Sequence, residues 1–227
     1  MPAHLSVLCT NGLRAVLLAV GDDLQSKARL SFTAEYGSTK KFSDRIAAGA
    51  APDIAILTDA AIEELLARGH LSGARVDVAR SFIGVAVRKG APRPPIDTPA
   101  AFVETLRNAR SISRSRLGAS GQHFASLLDR LSLADELAPK IKAYDGYAGQ
   151  ACANGEVEIA IQQISELMPI EGLDVVGPLP AELQKISVFS GAIGAASRQR
   201  DAANAFLAYL ASRDIAPVLR ANGLEPA

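Results

Sequence analysis

The sequence predicts an α/β protein built as two lobes, and three observations predict it. Short apolar runs are followed by small polar turns and then by apolar positions at helical spacing, the pattern of strand, turn and helix units. A Pro-rich stretch, Lys89 to Pro99, interrupts this series, and a second series of the same units follows it. The length, 227 residues, suits one large domain or two lobes of about 100 residues each.

In the first series Leu5 to Cys9 is an apolar strand, Thr10, Asn11 and Gly12 a polar turn, and Leu13, Val16, Leu17 and Val20 one face of a helix. Leu30 to Tyr36 alternates as a strand, and Gly37, Ser38 and Thr39 lead into a helix bearing Phe42, Ile46 and Ala47. Asp53 to Leu57 is a third strand, with Thr58 expected to cap a helix that carries Ile62, Leu65 and Leu66. Repeated units of this kind imply mostly parallel sheets flanked by helices, because parallel strands need crossover connections. From Arg80 to Val87 the pattern changes to an extended apolar strand, where the chain is expected to cross to the second lobe.

The second series places strands at Ser111 to Arg114, Lys140 to Ala143, Val157 to Gln163 and Gly172 to Pro180, with helices at Ser120 to Leu131 and Gly146 to Asn154. Ile186 to Ala195 is a long apolar strand leading back, followed by a helix at Asp201 to Ala211 and a short terminal helix. The expected division is residues 1–80 with 191–227 for the first lobe and 81–190 for the second. The crossings then lie near 80–87 and 186–195.

Composition narrows the function classes. The chain is 48% hydrophobic and 21% charged, which excludes wholesale disorder. Its 24 Lys and Arg balance 24 Asp and Glu, so no global field attracts a polyanion, and nucleic acid is not an expected partner. Cys9 and Cys152 form no CxxC pair and read as free, buried thiols, while His4, His70 and His123 are too scattered for a local ligand motif. No metal or cofactor is expected. Every apolar segment is interrupted by charge well before the roughly 20 residues a membrane span needs. Met1 to Ser6 lacks the basic and apolar segments of a secretory leader; the expectation is cytoplasmic if Met1 is the native start and periplasmic if a leader has been removed.

Three strand exits carry small polar residues: Thr10, Asn11 and Gly12; Gly37, Ser38 and Thr39; and Gly118 to Gly121 with Ser120. At a helix N-terminus, free backbone N–H groups and the helix dipole favour an anion, and small side chains let it approach. Taken singly, each turn reads first as a helix cap. Their recurrence after strands points to a ligand, since open α/β sheets bind ligands outside the carboxyl ends of their strands. Gln162 and Gln163 end the apolar run Ile159 to Ile161, where a buried amide needs partners; Gln163 reads equally as a ligand contact and as an amide bonded to backbone. Tyr147 either presents its hydroxyl at the same place or packs.

Arg14, Lys40, Lys41, Arg45, Arg80, Arg114 and Arg116 lie near strand ends or crossings, and Arg80, at the crossing, is the preferred carboxylate partner. No GxSxG, P-loop, HExxH or GxGxxG motif occurs, so recognition is the first reading.

In order, VLCTNGL at Val7 to Leu13, YGSTKKF at Tyr36 to Phe42, APDIAIL at Ala51 to Leu57, GASGQHF at Gly118 to Phe124 and GEVEIAIQQISEL at Gly155 to Leu167 resemble the molybdate-binding periplasmic protein family across nearly the whole chain. The resemblance implies a type II periplasmic-binding fold, whose lobes are joined by two crossing strands and close on an anion held by hydroxyls and backbone amides. It implies a monomer that hands a small anionic ligand to an ABC transporter permease. Carried over, the ligand contacts are Thr10, Asn11, Gly12, Ser38, Thr39, Ser120, Gly121, Gly146 and Tyr147. The molybdate binders usually have a serine where this chain has Gly12 and a tyrosine where it has Gln163, departures that leave as candidate ligands both a molybdate-like oxyanion and an organic polycarboxylate. With its IQQISEL and GPLPAELQ stretches the chain is also similar to aconitate isomerase, which implies a second reading: an enzyme that shifts a proton within an unsaturated tricarboxylate. For that chemistry the bases in view are His123, Lys40 and Tyr147.

Overall fold

A computed structural model describes residues 3–227. The chain divides into two compact units, residues 1–81 with 187–227 and residues 82–186.

The first unit opens with β1 (Ala3–Thr10), α1 (Arg14–Ala28), β2 (Leu30–Gly37), α2 (Thr39–Ala47), β3 (Ile54–Thr58), α3 (Asp59–Ala67) and β4 (Leu71–Ser81). The second comprises β5 (Ile83–Arg88), α4 (Pro99–Asn108), β6 (Ile112–Ser115), α5 (Ala119–Arg130), α6 (Ala134–Leu137), β7 (Ile141–Tyr144), α7 (Ala148–Ala153), β8 (Ile159–Gln163), α8 (Ile164–Leu167) and β9 (Leu173–Pro178). The chain then returns through β10 (Ser187–Gly194), α9 (Arg200–Leu210), α10 (Ala216–Ala221) and β11 (Leu224–Pro226). Among the described residues no helix is long and apolar enough to cross a membrane.

The first unit's sheet has the order β11-β4-β10-β3-β1-β2. The pairs β1/β2 and β1/β3 are parallel, whereas β10 runs antiparallel to β3 and β4, and β11 antiparallel to β4. Both faces are covered. Leu5, Val7 and Cys9 of β1 pack with Val16, Leu17 and Phe206 of α1 and α9, while Leu8 faces Phe42, Ile46 and Ile62 of α2 and α3. A strand buried on both faces reads as a continuous apolar run, as Ile54 to Leu57 does.

In the second unit the order is β7-β6-β8-β5-β9, with β6 parallel to β7 and β8, and β5 antiparallel to β8 and β9. Ile83, Val85, Ile112, Ile159 and Ile161 face Phe102, Phe124 and Leu127 of α4 and α5. The opposite face is built small, from Ala86 and Ala160 against Ala151, Cys152 and Leu167, so that the short helices α7 and α8 lie close to the strands. A Cβ on Gly84 would come 2.5 Å from Ile164 Cγ1, and one on Gly149 2.8 Å from Ile170 Cδ1, which is why these positions carry no side chain.

Strand direction decides where the turns fall. Parallel pairing puts the carboxyl ends of β1, β2 and β3, at Thr10, Gly37 and Thr58, on one edge of the first sheet. Phe189 pairs with Thr58 and Ser187 with Ser81, so β10 begins and β4 ends on that same edge. In the second sheet β6, β7 and β8 likewise end together at Ser115, Tyr144 and Gln163. Ile83 pairs with Gln163 and Gly84 with Pro178, so β5 begins and β9 ends there too. The Gln184 amide secures this point: Oε1 accepts from Ile83 N at 3.0 Å and Nε2 donates to Ile83 O at 2.9 Å, in the manner of a strand partner.

Several expectations need correction. Arg80 to Val87 is not one strand but the end of β4 and most of β5, separated at Phe82, and β4 reaches back to Leu71. The body of the expected second crossing, 186–195, is β10 of the first unit, and the chain changes unit between Ile186 and Ser187. Thr58 stands at the N-cap position of α3 without a side-chain capping bond. The sheets are more mixed than strand and helix alternation predicts, because β4, β5, β9, β10 and β11 pair antiparallel. Cys9 and Cys152 are both free and buried.

A carboxylate clasp joins three segments of the first unit away from the turns. Asp53, just before β3, accepts from Ser6 N and Oγ at 2.9 Å and from Ser197 Oγ at 2.6 Å. Burial alone would raise this carboxyl, but the bonds from Ser197 and Ser6 outweigh it and hold the group below the ordinary aspartate value. Asp53→Asn should therefore destabilise the protein by about 1.5 kcal/mol near neutral pH. A lowered folded value contributes stability above the unfolded one, so the difference from wild type should close as the pH falls below 3.8, which urea titrations across pH will read.

Candidate functional site: two strand-end edges rich in donors

Each unit presents one set of turns, and each set is built from its own strands. In the first, Thr10 ends β1 and is buried, directly opposite Gly37 in the parallel register. Asn11, half-buried, and Gly12, buried, form the short turn that leads into α1. Ser38 is the N-cap of α2, its Oγ accepting from Lys41 N at 3.2 Å. Thr39 Oγ1 accepts from Thr58 N at 3.4 Å and ties this turn to the end of β3. Both hydroxyls take their backbone bonds as acceptors, which leaves each its own proton to donate to an anion. Arg80 lies on the same edge, exposed, between Val188 and Glu225 in the sheet register.

In the second unit the β6 turn folds back on itself through Ser115, whose Oγ accepts from Gly118 N at 2.8 Å. Ser120 and Gly121 follow in the first turn of α5, both buried. Gly121 is demanded by packing: a Cβ there would stand 1.8 Å from Ser115 O. Tyr147, half-buried, is the N-cap residue of α7, and Gln163, buried at the end of β8, is that of α8. Gly146 precedes Tyr147 with φ of 96°, a backbone shape that favours glycine. The residues singled out from sequence thus fall on two edges, Thr10, Asn11, Gly12, Ser38, Thr39 and Arg80 on the first, and Ser120, Gly121, Tyr147 and Gln163 on the second.

The nearby cations sort by partner. Arg45 grips Glu35 with two bonds of 2.6 and 3.1 Å, Lys40 pairs with Asp44 at 2.7 Å, and Arg116 with Asp145 at 3.2 Å. The Arg14 guanidinium instead lies 5.5 Å from the Tyr36 ring centre and Lys41 Nζ 5.8 Å from that of Phe42. Arg114 donates to the carbonyls of Ser115 and Gly121. Two bases in view from sequence are engaged: Lys40 with Asp44, and His123 through Nε2 with Leu183 O at 2.9 Å.

Sequence reasoning missed one group at the second edge, Glu166. Gln162, fully buried on the small-residue face of β8, accepts from Gly149 N in the first turn of α7 at 3.0 Å and donates its amide N–H to Glu166 in the first turn of α8. Glu166 remains partly accessible to solvent. Burial pushes its carboxyl up from 4.5 to about 7, and the Gln162 bond offsets this only in part. The signal lay in the IQQISEL stretch, where an acidic residue follows an apolar strand at four residues from a buried amide.

Two sheets flanked by helices, with donor-rich turns at the carboxyl ends of parallel strands, define the periplasmic-binding class of α/β proteins. The chain belongs to the bacterial extracellular solute-binding protein family, whose pattern it matches over residues 5–225. It is 33% identical to an aconitate isomerase from a Pseudomonas species over 98% of this chain and 87% of that protein. Its fold is that of the Azotobacter vinelandii periplasmic molybdate-binding protein, with a TM-score of 0.81 at 17% identity, covering 97% of this chain and 98% of the other. The sulfate-binding protein SubI of Mycobacterium tuberculosis shares it with a TM-score of 0.74 at 17% identity, over 99% of this chain and 87% of the other.

A raised folded value means that ionising Glu166 works against folding once the pH passes its unfolded value. Glu166→Gln should melt with the wild type at about pH 4, where both are neutral, and exceed it by about 2 kcal/mol above pH 7. Denaturation at the two pH values reads this directly, and equal stabilities at high pH would show the carboxyl to be well solvated.

Proposed function

We propose that this protein captures a small organic polycarboxylate, using the hydroxyls and backbone N–H groups of the strand-end turns of both units. The observation that carries the reading is the gathering of small polar turns, Thr10 to Gly12 with Ser38 and Thr39, and Ser120 with Gly121 and Tyr147, on carboxyl edges of parallel strands. Relatives of the same fold that carry molybdate and sulfate in their names support an anion as ligand. Gly12 and Gln163, in place of the serine and tyrosine of the molybdate binders, open room for a larger ligand whose carboxylates Arg80 and Gln163 can meet. Capture by donors on both units entails hinge closure on the ligand. Delivery to an ABC transporter permease, as a monomer outside the cytoplasm, is the role this family membership favours.

A second reading is catalytic. The full-length likeness to an aconitate isomerase favours a 1,3-proton shift within an unsaturated tricarboxylate bound at the same site.

Thermal shift with molybdate, tungstate, sulfate, citrate, cis-aconitate and trans-aconitate separates the ligand classes. A ligand at 100 times its dissociation constant adds about 2.7 kcal/mol, or roughly 5 to 10 °C in a chain of this size. A response to the tricarboxylates alone is expected, and a response to molybdate alone would overturn the polycarboxylate. Scattering with the tightest ligand should show a smaller radius.

Ser38→Ala tests the first edge. Loss of the cap bond to Lys41 N costs about 1 kcal/mol of stability, and loss of a hydrogen bond to a charged ligand a further 1.5 to 3 kcal/mol in affinity, about 10- to 150-fold. Unchanged affinity by calorimetry with a lowered melting temperature would reduce Ser38 to a cap.

A further inference from the structure

We propose that Glu166 is the acid–base residue of the isomerisation, taking a proton from the ligand's methylene carbon and returning it at the far end of the shifted double bond. The proposal rests on the catalytic reading above. As the methylene C–H bond breaks, the proton forms an O–H bond on the Glu166 carboxylate. The freed electron pair moves into the adjoining carbon–carbon bond, and the old double bond opens onto its terminal carbon, stabilised by the adjacent carboxylate. That carbon then takes the proton back from Glu166. Nothing is oxidised or reduced, and Glu166 ends as it began.

The placement is carried by geometry. Glu166 belongs to the first turn after β8, at the edge where β6, β7 and β8 end together, the side on which sheets of this kind receive ligands. Its carboxyl is held by Gln162, and the same amide takes the Gly149 N–H, so the acid is tied to the turn that follows Tyr147. It is partly accessible, as a group that must reach a substrate has to be. Next to it, Ser165 is only 2% exposed and its hydroxyl meets no partner among the described residues.

Among the described residues, the elements packed against α8 bring no competing charge to Glu166. β8 and the rest of α8 hold no ionisable side chain. β5 brings only Arg88 and β9 only Asp174, which stand at the opposite edge, opposite Leu173 and Val87. α7 contributes Cys152, whose thiol burial pushes up to about 11. Glu166, raised to about 7, has both forms accessible near neutral pH. His123 and Lys40, by contrast, are held by Leu183 and Asp44.

The test is proton NMR of the full chain with cis- and trans-aconitate in deuterated buffer, for the wild type and for Glu166→Gln, with circular dichroism to show that the variant is folded. The wild type should interconvert the two acids, and Glu166→Gln should be slower by at least about 100-fold while aconitate still raises its melting temperature. A folded variant within about threefold of the wild-type rate overturns the role of Glu166 and leaves the isomerase reading standing. A wild type that leaves both acids unchanged overturns the isomerase reading, and this proposal with it. Should the variant fail to fold, the wild-type profile decides: kcat/KM should rise with pH through a value near 7, and a profile flat from about pH 6 to 8 overturns the assignment.

Discussion

The parallel pairing of β1 with β2 and β3, and of β6 with β7 and β8, is the constraint on which the rest of the structure depends. Parallel neighbours cannot be joined by hairpins, so each strand must be followed by a helix that returns the chain, and every such helix starts at the same edge. That single fact collects Thr10, Ser38 and Thr58 in one unit and Gly118, Tyr147 and Gln163 in the other, although they are widely separated in sequence. The antiparallel strands complete the arrangement. Because β10 opposes β3 and β5 opposes β8, the chain leaves and re-enters each unit at the edge that carries its turns. Ser81 paired with Ser187, and the Gln184 amide on Ile83, then fix the connections beside the donors.

Charge is handled locally. The chain carries no net charge, and Arg45, Lys40 and Arg116 spend theirs on neighbouring carboxylates. What remains for an anion is directional: backbone N–H groups at helix starts, the protons of Ser38 and Thr39, and the cations of Arg80, exposed at the end of β4, and of Arg14 and Arg114, whose contacts are a ring and two carbonyls. Such donors are fixed by the fold before a ligand arrives, which lowers the ordering cost of binding and selects by shape as well as by charge.

How much of this the sequence discloses depends on whether a signal is local. The strand and helix units of the first unit are legible because Val7 to Cys9 and Ile54 to Leu57 are buried on both faces and the Thr10 and Thr58 turns follow them at once. α4 goes unseen because its start, Thr98 capping and Pro99 in the first turn, is hidden behind the Pro-rich stretch and reads as more of the same connection. β4 is obscured by Ser72, Gly73, Arg75 and Asp77, polar residues on a strand whose pattern alternates only toward its end. The turns of the candidate site are legible as turns, but Gly121 is a packing glycine as well, a fact that only its approach to Ser115 O discloses. Glu166 is legible only as an acidic residue four positions from a buried amide, since the burial that shifts it comes from elements that sequence does not place next to it.

An acidic side chain beside the proposed anion site needs a physical reason, because two like charges about 4 Å apart repel by roughly 4 kcal/mol even at an effective dielectric of 20. The small-residue face of the second sheet supplies the reason. Ala86, Ala160 and Gly149 let α7 and α8 settle close enough to strip water from Glu166, and Gln162 gives it one amide where an ordinary surface carboxylate has several waters. The acid is therefore neutral for part of the time at pH 7 and can meet a polycarboxylate without full repulsion. The ligand's own charge raises it further, and a carboxylate with a raised value is a stronger base toward a carbon-bound proton, at the expense of the fraction ionised. A start near neutrality leaves room for both, which a carboxyl at its ordinary 4.5 would not: it would be ionised almost completely and too weak a base for the step.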